Sequence, residues 1–478
     1  MHILDLLILI IYFSAVLAIG FYFSKKNRNV SDYFVGSRKI GSWHIGLSVV
    51  ATDVGGGFSI GLGGLGFAIG ISGSWMLFTG LIGAWLSAVF LIPKVSRMEN
   101  FKQLLTFPEI FKFFYGKQVA IVAGLISAIG YIGFTSSQIL AGAKLASAAF
   151  IQLDLKVALV LMGTIVILYT YLGGLKAVIY TDTIQWIILI SGLCLVGIPV
   201  AYHSIGGYQA LMETLKPEFL SLSNIKFQTF INWVVTIVPI WFVGMTLYQR
   251  IYACKTEGEA KKAWFIAGLF EWPIMAFMGV LLGLFSRVAY MKGIFKQFGF
   301  GPETMIDPEL GLPFLLKAVL PVGFLGLMLA AYFSAIMSTA DSCLMAASGN
   351  VYSDLLSGII RKNANYLRIS RWITLGIGTL SLILAALMEN VLELMLYSYA
   401  FMVSGLFIPL LGCFFSDYKS SRAAMAAMIS GGSVTIFLTL TGFAKPTGFD
   451  PNLFGIFTAL LLFVSITQYE KRRKYAKN

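Results

Sequence analysis

Ala335, Ser338, Thr339 and Ser342 recur at i, i+3, i+4 and i+7, which places them on one face of a helix. They span the end of an apolar run, GFLGLMLAAYFSAI, and the start of MSTADSCLMAASGN, Met337 to Asn350, which together read as membrane-buried helix. Asp341, three residues from Ser338, borders that face. Polar and charged side chains are costly inside a bilayer and usually serve an ion or a ligand there. Two hydroxyls, a carboxylate and a nearby carbonyl form an oxygen-rich patch of the kind a hard cation needs once stripped of water. A lone serine would more simply bond back to its own helix carbonyl. That alternative leaves Asp341 unsatisfied without a cation or a proton.

A second acid, Asp53, heads the stretch TDVGGGFSIGLGGLGFAIG. Three consecutive glycines, then Gly61, Gly63, Gly64 and Gly66, weaken a helix strongly. In a membrane such a break is tolerated where it lines a cavity, and transporters use it to expose carbonyls and half-helix ends to ions and substrates. Close helix packing accounts for a lone GxxxG. A glycine cluster that also carries Asp53 and Ser59 points to a binding site. The third acid, Asp182 in LGGLKAVIYTDTIQWIILI, reads either as part of an ion path or as an interfacial acid paired with Lys176. Glu271, beside Trp272 and Pro273, receives no role. Aromatic residues lie within a turn of polar ones in SGSWMLF, GYIGFTSSQILAG, PIWFVGMTLYQR and MLYSYAFMVSG. Apolar walls with a few oriented polar contacts suit a small organic ligand.

The elements that must hold these residues are membrane helices. Of 478 residues, 58% are hydrophobic and only 12% charged, too few to clothe a soluble chain of this length. Apolar stretches of about 20 residues fall at 3–23, 42–69, 72–95, 118–150, 156–173, 178–202, 227–249, 262–290, 312–347, 369–388, 392–415, 422–442 and 451–468. The expectation is an all-α polytopic membrane protein of about 13 transmembrane helices. Its first run, ILDLLILIIYFSAVLAIGFYF, has no basic segment before it and no cleavage pattern after it, so it reads as a retained helix. The net charge of +13 does not imply nucleic acid. Lys and Arg gather in alternate loops instead: Lys25, Lys26, Arg28, Arg38 and Lys39 after the first span, Arg250, Lys255, Lys261 and Lys262 after the seventh, Arg361, Lys362, Arg368 and Arg371 after the ninth. Positive loops stay in the cytoplasm, so the N-terminus is expected outside and the C-terminus inside. Four scattered cysteines and three scattered histidines indicate neither a disulfide frame nor a histidine metal site. No nucleophile–base pair is evident, so an enzyme is not expected.

At these residues the chain resembles the sodium:solute symporter family, the group of the bacterial proline and pantothenate permeases and the animal glucose and choline transporters. The matching stretches are DYFVGSRKIGSW, ATDVGGG, TFPEIFKFFYGK, YLGGLKAVIYTDTIQ, LYQRIYACKT and SAIMSTADSCLMAASGNVYSDL, in the family's order. The resemblance implies a leucine-transporter-like fold with broken core helices within the single domain 1–478: an extra helix at 3–23, inverted five-helix repeats at 42–205 and 227–415, and two C-terminal helices at 422–468. It implies a sodium site on the carbonyls of Ala51, Val54 and Ala335 and the hydroxyls of Ser338 and Thr339. It also implies a second ion or an ion path at Asp53, Asp182, Asp341 and Ser342. An acid at Asp341, where the sialic-acid branch has a hydroxyl, departs from that pattern and leaves one ion or two open.

The expected function is import of a small organic solute with sodium across a bacterial inner membrane. Asp53 and Gly244 stand where the choline branch has tryptophans, which argues against a quaternary amine. A small amino acid such as proline, or a small carboxylate, is favoured. Pocket candidates by position and chemistry are Gly56, Phe58, Ser59, Trp75, Gln138, Trp241, Thr246, Tyr397 and Ser398. Rival readings are a proton-coupled transporter with Asp341 or Asp53 as carrier, a non-transporting solute sensor, and a channel. A sensor would carry an appended signalling domain, a channel a continuous polar pore. The partners are the solute, sodium and the lipid bilayer; the sequence sets no oligomeric state.

Overall fold

The computed structural model describes residues 2–24, 33–34, 38, 40–99, 101–150, 153–356 and 365–475, without the side chains of Val54, Phe58, Ser59 and Lys176 among others. Lys25, Lys26, Arg28, Lys39, Arg361 and Lys362, used above to orient the chain, lie outside the described residues. Apart from turns and one isolated bridge between Ile40 and Cys254, the described residues are helical.

The chain runs through α1 (Ile3–Ser24), α2 (Ser42–Ile69), α3 (Trp75–Leu86), α4 (Pro108–Tyr115), α5 (Lys117–Ala149) and α6 (Leu155–Gly192). The second part holds α7 (Phe227–Val243), α8 (Met245–Ala253), α9 (Glu257–Leu269), α10 (Ala276–Met291), α11 (Pro308–Val319) and α12 (Phe324–Asn350). It ends with α13 (Tyr366–Ala385), α14 (Val391–Phe415), α15 (Ser421–Thr441) and α16 (Pro451–Tyr475). Ten helices among the described residues are long and apolar enough to cross a membrane, or eleven if α7 and α8 form one bent span. This count departs from thirteen at three places. α1 qualifies only as a shorter apolar helix, Gly55–Ser96 counts as one run, and α7 meets α8 at a 40° bend. The bend has a local cause: Gly244 between them adopts extended backbone, φ −68° and ψ 113°.

α12 is the core of the bundle. It packs against α1, α2, α5 and α6, and Met328 to Asn350 is buried throughout. Lipid tails are as apolar as leucine, so helices in a membrane associate through close packing and polar contacts. Glycines supply the closeness. A Cβ at Gly283 of α10 would lie 2.0 Å from the Gly63 carbonyl oxygen of α2. Acids supply the polar contacts, at helix starts where backbone N–H groups lack partners. Asp5 Oδ1 of α1 accepts from the N–H groups of Gly323 (2.7 Å) and Gly326 (2.9 Å) at the start of α12. Glu309 of α11 accepts from Val391 N–H (3.1 Å) and Leu392 N–H (3.0 Å) at the start of α14. Lys144 of α5 donates to the same carboxylate at 2.7 Å.

Gly283→Leu is expected to force α10 from α2 and to cost about 1–3 kcal/mol, the usual penalty of overpacking. A lower melting temperature of the detergent-solubilised protein would register it; an unchanged melting curve would mean the two backbones are not held this close.

Candidate ion and solute sites

α2 is interrupted at Gly55, whose φ of 21° and ψ of −159° leave the helical region. Only glycine suits this point, since a positive φ is strained for other residues and a Cβ would lie 2.3 Å from Thr339 Oγ1 and 2.6 Å from Gln138 Oε1. The break turns a backbone donor sideways: Gly56 N–H donates to Gln138 Oε1 at 2.6 Å. It also brings α2 against the hydroxyl face of α12. Thr339 Oγ1 lies 2.9 Å from the Ala51 carbonyl and 3.3 Å from the Ala335 carbonyl. A hydroxyl has one proton, so it can serve one of these acceptors at a time. Ser338 Oγ is buried, with the Asp182 carboxylate as its neighbour and no close hydrogen bond. Ala51, Ala335 and Ser338 line a void of about 10 Å³ closed by Gln185, Trp186 and Leu189. That is room for one water-sized species. Four of the five residues expected to hold sodium therefore meet at one place. The fifth, Val54, continues α2, and its side chain is not described.

Beside this cradle lies a fully buried arginine. Arg250 of α8 was counted above among loop charges, but its side chain is 0% exposed. The reason is the α7–α8 bend, which carries the chain back into the bundle beyond Gly244. The guanidinium donates to Thr52 Oγ1 (2.6 Å), Ser342 Oγ (2.7 Å), Ser48 Oγ (3.1 Å) and the Thr246 carbonyl (3.2 Å). It stands 3.6 Å from Asp182 Oδ2, which also accepts from Ser48 Oγ at 2.5 Å. Asp182 is itself fully buried, with Arg250 as its cationic neighbour; Lys176, its suggested partner, has no described side chain. Asp341 has a different partner, the Thr170 hydroxyl at 2.6 Å. Two residues expected at a second ion, Asp182 and Ser342, thus already contact a resident cation.

The expected pocket residues divide. Gly56 and Gln138 meet at the break. Thr246 pairs with Tyr131 Oη at 3.0 Å, one turn of α5 away from Phe134. Trp241 is buried against Gly83 and Trp264, and Ser398 donates to its own Leu394 carbonyl beside Gly133. Trp75 and Tyr397 lie apart from the break: Trp75 donates to the Leu222 carbonyl at 2.8 Å, and Tyr397 is 40% exposed and bonded to Glu393. Phe58 and Ser59 have no described side chains. Asp53 sits in the first half of α2, with its Oδ1 3.4 Å from the Tyr399 hydroxyl. Glu271 faces it from the π-turn Phe270–Met275 between α9 and α10. Its neighbour is another carboxyl, a pairing no sequence spacing announces.

Residues 33–431 match the family model described as the sodium:solute symporter family. The chain belongs to the sodium:solute symporter family. It is 29% identical to the osmoregulated proline transporter OpuE of Bacillus subtilis, over 97% of this chain and 94% of that protein. It is 27% identical to the sodium/proline symporter of Escherichia coli, over 89% of this chain and 86% of that protein. A Na+-coupled sialic acid symporter, solved substrate-bound and outward-open, superimposes with a TM-score of 0.77 at 20% identity, covering 98% of each chain. The fold is that of the leucine-transporter-like symporters, the chain is an integral membrane protein, and its activity is sodium-coupled solute import rather than catalysis.

The symporter's buried charges set a stability test. Removing one member of a buried pair leaves the other uncompensated, at a cost of roughly 3–5 kcal/mol. Arg250→Met is expected to destabilise by that order, and Asp182→Asn combined with Arg250→Met to recover much of it. Melting of the purified single and double variants in detergent measures the coupling. Simple additivity would show that the two groups do not act as a pair.

Proposed function

We propose that this symporter imports a small amino acid, with proline the leading candidate, or else a small carboxylate, together with sodium bound between α2 and α12. The reading is carried by one observation: the broken backbone at Gly55 lies against Thr339, whose hydroxyl oxygen sits within reach of the Ala51 and Ala335 carbonyls beside the buried Ser338 hydroxyl. Sodium needs several oxygens at once, and three carbonyls with two hydroxyls supply them without a charge to neutralise. The likeness to two proline transporters favours an amino acid.

In this reading the Asp307 end of the bundle faces outward and the Arg250 end faces the cytoplasm of a bacterial cell. Sodium is drawn in by its gradient and by the membrane potential, worth about 2.3 kcal/mol per charge per 100 mV. Bound at Ser338 and Thr339, it ties the broken helix to α12 and shapes the solute site beside Gly56 and Gln138. Thermodynamic linkage then requires sodium and solute to raise each other's affinity by the same factor. Arg250 fills the neighbourhood of Asp182 with a fixed positive charge, which favours one sodium per cycle over two.

Uptake of labelled proline into proteoliposomes, under an inward sodium gradient and under potassium, tests this. Ser338→Ala is expected to raise the sodium concentration for half-maximal uptake roughly 10-fold or more, as losing one ligating oxygen should. Uptake driven equally by a proton gradient, or a sodium dependence unchanged in the variant, would overturn the sodium assignment.

A further inference from the structure

α14 and α16 leave a cavity of about 390 Å³ between them, and none of its lining residues belongs to the ion or solute candidates. It lies at the Arg250 end of the bundle. Tyr252, two residues beyond Arg250, donates to the Thr106 carbonyl, and Tyr115 at the end of α4 donates to the Pro409 carbonyl of α14, each at 3.2 Å.

The polarity of this groove is graded. α16 contributes Leu460, Phe463, Val464, Thr467, Gln468 and Lys471. They recur at i, i+3, i+4, i+7, i+8 and i+11, which is one helix face, and run from apolar through polar to basic. The helix rises about 16 Å over that stretch, close to the roughly 15 Å depth of one leaflet's hydrocarbon. α14 faces it with Ile408, Leu411, Gly412 and Phe415, again at i, i+3, i+4 and i+7. Gly412 sets the floor, since a Cβ there would lie 2.2 Å from the Phe463 ring. Phe415, Leu460 and Val464 are exposed, so the apolar part is open to the surrounding lipid.

The mouth is basic. Lys471 stands on the α16 side, and Lys94 on the α14 side, with its ammonium 4.6 Å from the centre of the Phe415 ring. Lys474 lies 5.8 Å from the centre of the Tyr418 ring, which also lines the mouth. None of these three lysines forms an ion pair among the described residues. Glu470, beside Lys471 in the chain, is taken by the Ser420 hydroxyl at 2.7 Å and by Arg422 at 3.6 Å. Asp417 is the one acid among the described lining residues. Between the apolar and basic parts, Thr467 Oγ1 is buried without a hydrogen-bond partner. Its hydroxyl is a free donor for an ester carbonyl.

An apolar trough, a hydroxyl and a basic mouth follow the order of an acyl chain, its ester and a phosphate. A soluble anion would use the mouth alone, and an apolar helix the trough alone. Basic residues at the cytoplasmic ends of spans attract anionic lipids. We propose that the α14–α16 groove binds one anionic phospholipid, with an acyl chain along Phe415, Leu460 and Val464 and the phosphate held by Lys94, Lys471 and Lys474. In the orientation proposed above this lipid belongs to the cytoplasmic leaflet. The inference is independent of the solute and of the coupling ion.

The test titrates the delipidated, detergent-solubilised protein with phosphatidylglycerol, with phosphatidylcholine of the same chains and with glycerol phosphate, and counts bound molecules by native mass spectrometry. One phosphatidylglycerol is expected to be held roughly 10-fold or more tighter than phosphatidylcholine, undisturbed by glycerol phosphate. A basic residue near a membrane surface is worth about fivefold. Lys471→Gln with Lys474→Gln should therefore weaken that lipid roughly 25-fold and leave phosphatidylcholine unchanged. Lys216→Gln with Lys296→Gln, the same charge change at the Asp307 end, should have no effect. Val464→Trp, which fills the trough and keeps the charge, should also weaken it; Leu460→Trp serves if that variant does not fold. Equal affinity for the two lipids would reduce the groove to ordinary lipid contact and overturn the inference. Equal loss in the two lysine pairs would make net charge the cause and overturn it as well. So would displacement by glycerol phosphate, or binding untouched by the tryptophan, either of which leaves only a phosphate contact at the surface.

Discussion

The contact on which the rest of the structure depends is Thr339 Oγ1 against the backbone of α2 at Ala51. It exists because Gly55 has no side chain: any Cβ there would stand 2.3 Å from that oxygen. The same missing side chain lets the chain adopt φ 21°, which breaks the helix and turns Gly56 N–H toward Gln138. One glycine thus makes the gap, fills it with a neighbour's hydroxyl and frees backbone for a ligand. The cradle proposed for sodium is the consequence of that geometry.

Around this point the protein handles buried acids in distinct ways, and each follows from what lies nearby. Asp5 and Glu309 meet helix starts, where unsatisfied N–H groups are already present and negative charge is welcome. These contacts staple α1 to α12 and α11 to α14 in a medium that gives no hydrophobic reward for helix association. Asp182 is balanced by Arg250, whose other donors reach α2 and α12. Asp53 and Glu271 have only each other and Tyr399.

Much of this was legible in the sequence. Residues at i, i+3 and i+4 share a helix face whatever the surroundings, so Ala335 and the hydroxyls of Ser338 and Thr339 fall together from spacing alone. The glycine run foretold the break. Arg250 was not legible, because a basic residue after an apolar span reads as a loop charge. Only the bend at Gly244 returns it to the core. Glu271 was missed for a related reason. Its partner is 218 residues away, and long-range pairing of two like groups leaves no periodic trace. Trp75 and Tyr397 illustrate the converse: polar–aromatic composition marked them, yet their positions on their helices put them toward the Leu222 loop and a cavity at the Asp307 end.

The two halves of α2 are held by different means, and that difference bears on movement. Before the break, Ser48 and Thr52 are gripped by hydrogen bonds from Arg250, with Ser342 and Asp182 beside them. After the break, Gly57 packs on Met395, Gly61 on Leu392 and Gly63 on Leu312 and Gly283. Polar grips are directional and fail once displaced by an ångström or two, whereas small-residue packing tolerates sliding until backbones collide. A helix anchored so differently on either side of a glycine can let one half shift while the other stays. The cradle proposed for sodium spans that joint, since Ala51 lies before Gly55 and Thr339 fills the gap at it. In the proposed reading, an ion bound there would act on the relative position of the two halves and so on access to the solute.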